Sequence, residues 1–136
     1  MVQPLLIFSD WGILILRVVL GFVLVRHGLP KLSNLKGTGE WLQGVGFKPG
    51  IFWAVVVGVV EFFGGLALVF GLFTQIAAIL IAGEFLVLLL KFRRGKMFVR
   101  DSDTELDWMI FVGALILVTL GGGSYGLDSS WGVFLY

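Results

Sequence analysis

Four long apolar stretches divide the chain, each close to the ~20 residues that cross a ~30 Å hydrocarbon core. The first runs from Trp11 to Leu29, with Ser9 or Asp10 placed to cap its start and Pro30 to stop or kink it. The second runs from Ile51 to Phe70 after Pro49-Gly50, and a turn at Gly71 separates it from the third, Thr74 to Leu90. The fourth opens at Thr104, where Thr104 and Asp107 have capping-box spacing, and it ends at Gly121-Gly122-Gly123. No segment alternates with period two over the length of a barrel strand, and four strands could not close a barrel. The pattern predicts an all-α integral membrane protein, a four-helix bundle with short loops. One domain covers residues 1–136, with helices at about 11–29, 51–70, 74–90 and 104–120.

The connecting segments differ in character. Residues 30–50 are polar and contain an amphipathic piece, Leu35 to Val45 with Trp41, suited either to the membrane surface or to a solvated loop. Residues 91–103, KFRRGKMFVRDSD, are strongly charged. The tail from Ser124 to Tyr136 is short, and its Leu, Val and Phe residues could dip back into the interface. Lys31, Lys36 and Lys48, with Lys91, Arg93, Arg94, Lys96 and Arg100, make eight of the ten basic residues, all on one side. The positive-inside rule therefore predicts a multi-pass plasma-membrane protein with both loops cytoplasmic and both termini outside. Trp11 and Trp131 then fall at the outer rim, Trp53 and Trp108 at the inner. The opening MVQPLLIFSD has no Lys or Arg, so the first stretch reads as a retained span, not a cleaved signal.

Composition narrows the chemistry. Hydrophobic residues make up 58% and charged residues 14%, against about 25% charged in an ordinary soluble chain. Mean hydropathy is +1.01, so the solvent around most of this protein is expected to be lipid. The net charge of +1 gives no reason to expect a nucleic-acid partner. There is no cysteine and one histidine, which excludes thiol chemistry, disulfides and cysteine-ligated clusters within the chain. No metal is expected within the chain, and a redox-active metal would have to come from a partner.

Charges inside the predicted spans are the informative residues. Arg17, Glu61 and Glu84 lie well within them, and Arg26 and His27 lie near the inner end of the first. A charge at the bilayer centre costs roughly 2.5–3.5 kcal/mol on insertion scales, so such groups persist where they face protein or water. Counting inward at ~1.5 Å per residue puts Arg17 about 9 Å below the outer edge and both glutamates about 15 Å deep. An arginine can close much of that gap, so Arg17 is expected to pair with Glu61, Glu84 or both. On a helical wheel Arg17, Gly21, Leu24, Gly28 and Lys31 share one face, and Arg26 falls opposite. Glu61 shares a face with Gly64, Gly65 and Leu68, and glycines on both faces allow close backbone approach. Two readings stand side by side: a buried pair that only fixes helix register, or a polar pocket that exchanges protons with a bound ligand. Arg26 reads as a snorkelling residue, and His27 alone as a hydrogen-bonded rim residue.

In order along the chain, LRVVLG at 16–21, RHGLPKL at 26–32, VGVVEFFGGLALVFGLFTQIAA at 57–78 and GGGSYGLD at 121–128 resemble the motifs of the DoxX family of small four-helix membrane proteins. The resemblance implies polar site residues at Arg17, His27, Lys31, Glu61, Tyr125 and Asp128, with Glu105 as an acidic residue before the fourth helix. Glu84 and the dense basic run at 93–100 depart from the pattern. The family is linked to membrane-bound oxidoreductase assemblies, including relatives of the thiosulfate:quinone oxidoreductase membrane subunit. That link implies a non-covalent quinone and a soluble or membrane redox partner. Glu61 would then be the proton-active group and Arg17 its electrostatic partner, with His27, Lys31, Glu84 and Glu105 around the ligand. The alternative is a non-catalytic scaffold or small-solute carrier that recruits a soluble partner. Glycine-rich faces beyond what one bundle can bury would also permit a homo-oligomer.

Overall fold

A computed structural model describes residues 4–92 and 102–132. Within them the chain forms a 3₁₀ turn, Pro4–Phe8, then α1 (Ser9–Ser33), α2 (Leu35–Gly44), α3 (Gly50–Phe70), α4 (Thr74–Phe92), α5 (Ser102–Leu120) and α6 (Leu127–Trp131). There are thus six helices and no strand among the described residues, where four helices were expected. The 3₁₀ turn with α1, then α3 and α4, are long and apolar enough to cross a membrane. The predicted fourth span, α5, has the length, but Asp103, Glu105 and Asp107 crowd its first two turns and it falls short of that standard. Arg93, Arg94, Lys96, Arg100 and the last four residues of the tail lie outside the described residues.

The core is made by α1, α3, α4 and α5. Leu20, Leu24, Leu68, Ala78, Ile81, Phe85, Ile110 and Leu117 are buried together, while Ile15, Phe22, Phe63, Ile79 and Met109 are exposed. An apolar exterior around an apolar core is the arrangement lipid requires, since acyl chains solvate leucine as well as protein does.

Glycine sets the register between α1 and α3. A Cβ on Gly21 would sit 2.5 Å from the Gly65 carbonyl oxygen, and one on Gly28 would sit 2.5 Å from the Phe62 nitrogen. One on Gly58 would lie 2.7 Å from a Leu32 methyl carbon. The two backbones therefore touch along most of their length in antiparallel order, which only residues without side chains permit. The predicted face of α1 is the buried one: Arg17, Gly21, Leu24 and Gly28 are all buried.

Pro30 neither stops nor breaks α1, which runs on to Ser33. Its missing N–H costs one helical hydrogen bond, but Gly28 and Leu32 on either side are locked against α3 and hold the last turn in place. Nor do Ser9 or Asp10 cap α1; Phe8 occupies that position without a side-chain bond. The amphipathic piece forms α2, with Gly39 and Leu42 buried and Trp41 exposed. A Cβ on Gly50 would collide with the Gly39 carbonyl, so α2 is held against the start of α3 by backbone contact. At the other end of α3, Gly71 turns the chain in the left-handed conformation, φ 69°, as its position after the apolar run predicts. Likewise α5 stops at Leu120, and Gly121 follows with φ 68°.

Candidate functional site

Because α1 continues through Pro30, Lys31 stays on the helix and on its α3-facing side. Gly28 packs against the Glu61 Cβ, and one turn later Lys31 Nζ donates to Glu61 Oε1 at 2.6 Å. The Glu61 side chain is 1% exposed and that of Lys31 27%. Gly64 meets Ile81 across the α3–α4 interface, which brings Glu84 to the level of Glu61. Glu84 there acts electrostatically on both Glu61 and Lys31. Glu61 Oε2 and both Glu84 carboxyl oxygens are buried without a hydrogen-bond donor. Among the described residues, one cation thus faces two acids, and three acid oxygens lack a donor.

Two of these three groups border a cavity of about 390 Å³ between α2, α3 and α4. Lys31 and Glu84 line it, as do Val57, Val60, Leu80, Gly83 and Val87. Its loop-side end is aromatic: Trp41 and Phe47 both stack on Phe92, with ring centroids 5.3 and 5.7 Å apart. The Phe47 ring also meets Trp53 edge-on at 5.5 Å, and Lys91 Nζ sits 4.1 Å above it. The result is a chamber with apolar and aromatic walls and a charged floor, the usual make-up of a small-molecule site.

Arg17 is elsewhere. The expectation that it pairs with Glu61 or Glu84 is wrong: its Nη2 donates to the Tyr125 carbonyl at 3.2 Å, and Asp128 is the acid that acts on it. The depth count assumed that α1 and α3 enter the membrane level with one another. Glycine contacts instead set Glu61 beside Gly28, eleven residues from Arg17 and so about 16 Å along the helix. Asp128 is itself engaged, its carboxylate accepting from the backbone N–H groups of Phe73 at 2.6 Å and Thr74 at 2.8 Å. Asp10 accepts from the Ser124 hydroxyl at 2.7 Å. Together these bonds fasten the closing segment over the α3–α4 turn, beside a polar cavity of about 420 Å³ that Arg17 does not line.

The other predicted site residues are dispersed. His27 is half-buried and does not line the Lys31 cavity, and Glu105 is exposed on the first turn of α5. Tyr125 is exposed, its ring 4.9 Å from that of Trp11. Arg26 is exposed, as its place opposite Arg17 predicts. Sequence reasoning missed the aromatic wall and the capping by Asp128. The only trace of the latter was an acid following a Gly-rich turn.

The family model DoxX matches residues 12–94. The Bacillus subtilis (strain 168) protein named "Putative oxidoreductase CatD" is 28% identical over 117 residues, covering 86% of this chain and 84% of that one. The Escherichia coli (strain K12) protein named "Inner membrane protein YqjF" is 30% identical over 123 residues, 88% and 92% of the two chains. No solved structure matches. With several helices built to cross a bilayer and this match over most of its length, the chain belongs to the DoxX family.

Proposed function

We propose that this protein is a membrane-embedded subunit of an oxidoreductase complex whose cavity at Lys31 and Glu84 receives the head of a quinone. The observation that carries the reading is a donor-poor pair of acids beside one lysine, at an aromatic-lined cavity of about 390 Å³. A quinone, when bound, supplies reversible two-electron, two-proton chemistry. The chain's own residues do the rest. Lys31 keeps two N–H donors beyond its bond to Glu61 and offers them to a carbonyl oxygen. A single proton shared between Glu61 and Glu84 satisfies the acids and stands ready at Glu84 Oε1 or Oε2 for transfer to the cavity. Trp41, Phe47 and Trp53 provide faces for a flat ring to stack on.

Electrons come from a redox partner, soluble or membrane-bound, since no side chain here carries them. The name of the Bacillus relative supports an oxidoreductase setting, and that of the Escherichia relative an inner membrane. In this reading α5 is a fourth crossing, its acidic first turns lying in the cytoplasmic headgroups. The basic loops then face the cytoplasm and both termini face out. Arg17, His27 and Glu105 do not touch the ligand.

The test is binding of a decyl-chain benzoquinone to the full chain in lipid nanodiscs, read by quenching of tryptophan fluorescence. Saturable binding that Glu84→Gln and Lys31→Met each weaken about tenfold is the expected result. Absence of saturable binding to the unaltered protein removes the proposal.

A further inference from the structure

The Lys31 cavity has two ends of different chemistry. Toward the loops, Trp41, Phe47 and Phe92 stack across it, with Lys91 over Phe47. Along α4 the opposite is found. Leu80, Gly83 and Val87 line the cavity and are also exposed on the outside of the bundle. Their spacing of three and four residues puts them on one stripe of the helix, so a single strip of α4 is at once cavity wall and outer surface. At the centre of that strip Gly83 has no side chain, and a Cβ built there meets no atom of the described residues within 4 Å. Unlike Gly21, Gly28 and Gly65, which are glycine because a backbone presses on them, Gly83 adjoins open space. Glu84, with its unpartnered carboxyl, is the next residue.

From this we infer that Gly83 marks a lateral portal, through which a ligand dissolved in the bilayer passes its polar head to Glu84 without crossing the water-facing end. A side chain of ordinary size at 83 would stand in the opening. The class of ligand that fits is an amphiphile with a flat hydrogen-bonding head and an apolar tail, the tail remaining among the acyl chains beside Leu80 and Val87. That the head is a quinone rests on the function proposed above; that the opening faces lipid does not.

Two measurements on the full chain in lipid nanodiscs test the portal. The protein has no cysteine, so Gly83→Cys gives one thiol for a nitroxide label. Dissolved oxygen should relax that label more strongly than a water-soluble nickel chelate, and the reverse order would overturn the portal. Binding of the decyl-chain benzoquinone should fall about tenfold or more in Gly83→Trp and change less than about twofold in Gly83→Ala. Equal binding by Gly83→Trp and the unaltered protein overturns the portal and leaves the proposed function standing. If the unaltered protein binds no quinone, the proposed function falls, and the oxygen-against-nickel comparison still decides whether the opening faces lipid.

Discussion

The two ends of the bundle each hold a buried charge with unsatisfied polar atoms, yet they are built differently. At the Arg17 end, Nε and Nη1 lack acceptors, but the space around them is filled: a Cβ on Gly71 would strike Nη1, and one on Gly126 would sit 2.7 Å from it. At the Lys31 end, three acid oxygens lack donors among the described residues, and a cavity of about 390 Å³ adjoins the two that belong to Glu84. An unsatisfied group in a filled space has nowhere to put a partner and reads as architecture. The same deficit beside a cavity is what a binding site presents before its ligand arrives. The oxidoreductase reading depends on that contrast.

Substitutions can break it, beginning with the largest effect. Gly71→Ala combines a left-handed backbone with collision against Arg17 and should cost about 4 kcal/mol, read by unfolding in detergent micelles. Quinone binding per folded molecule should not change. Lys31→Met strands Glu61 in the interior and should cost about 3 kcal/mol, the low end for a broken buried pair because Lys31 is partly exposed. Combining it with Glu61→Gln should recover most of that loss while binding stays weak. Asp128→Asn removes the anionic cap on α4 and should lower stability by about 1 kcal/mol with no effect on binding. Smallest in stability is Glu84→Gln, within about 0.5 kcal/mol, because it keeps the size of a side chain whose oxygens have no donor to lose. Its effect should appear in binding alone, and a stability loss as large as that of Lys31→Met would erase the distinction between the two ends.

Sequence pattern made some of this legible and not the rest. The stops at Gly71 and Gly121, and the face holding Arg17, Gly21, Leu24 and Gly28, follow from local rules of helix termination and periodicity, and the structure has them. Which cation meets which acid is another kind of question. It depends on how far one helix slides along its neighbour, and the offset that sets Glu61 beside Gly28 leaves it three residues from Lys31 and eleven from Arg17. Gly21 against Gly65 and Gly28 against Phe62 fix that offset, but a glycine in a sequence does not say which backbone it will touch. The stop expected at Pro30 fails for the same kind of reason, since Gly28 and Leu32 on either side of it are held against α3. The cavity was the least visible feature, because it is the gap left by side chains from three helices.

The cap on α4 carries a consequence for synthesis. Residues 73 and 74 wait for a carboxylate made more than fifty residues later, Asp128, to complete the first turn of their helix. While the ribosome is still adding α5, those two amides have no side-chain acceptor, and the α3–α4 hairpin enters the membrane with that corner unfinished. A chain released before position 128 would keep every apolar span and lack the clasp that joins its last segment to its middle.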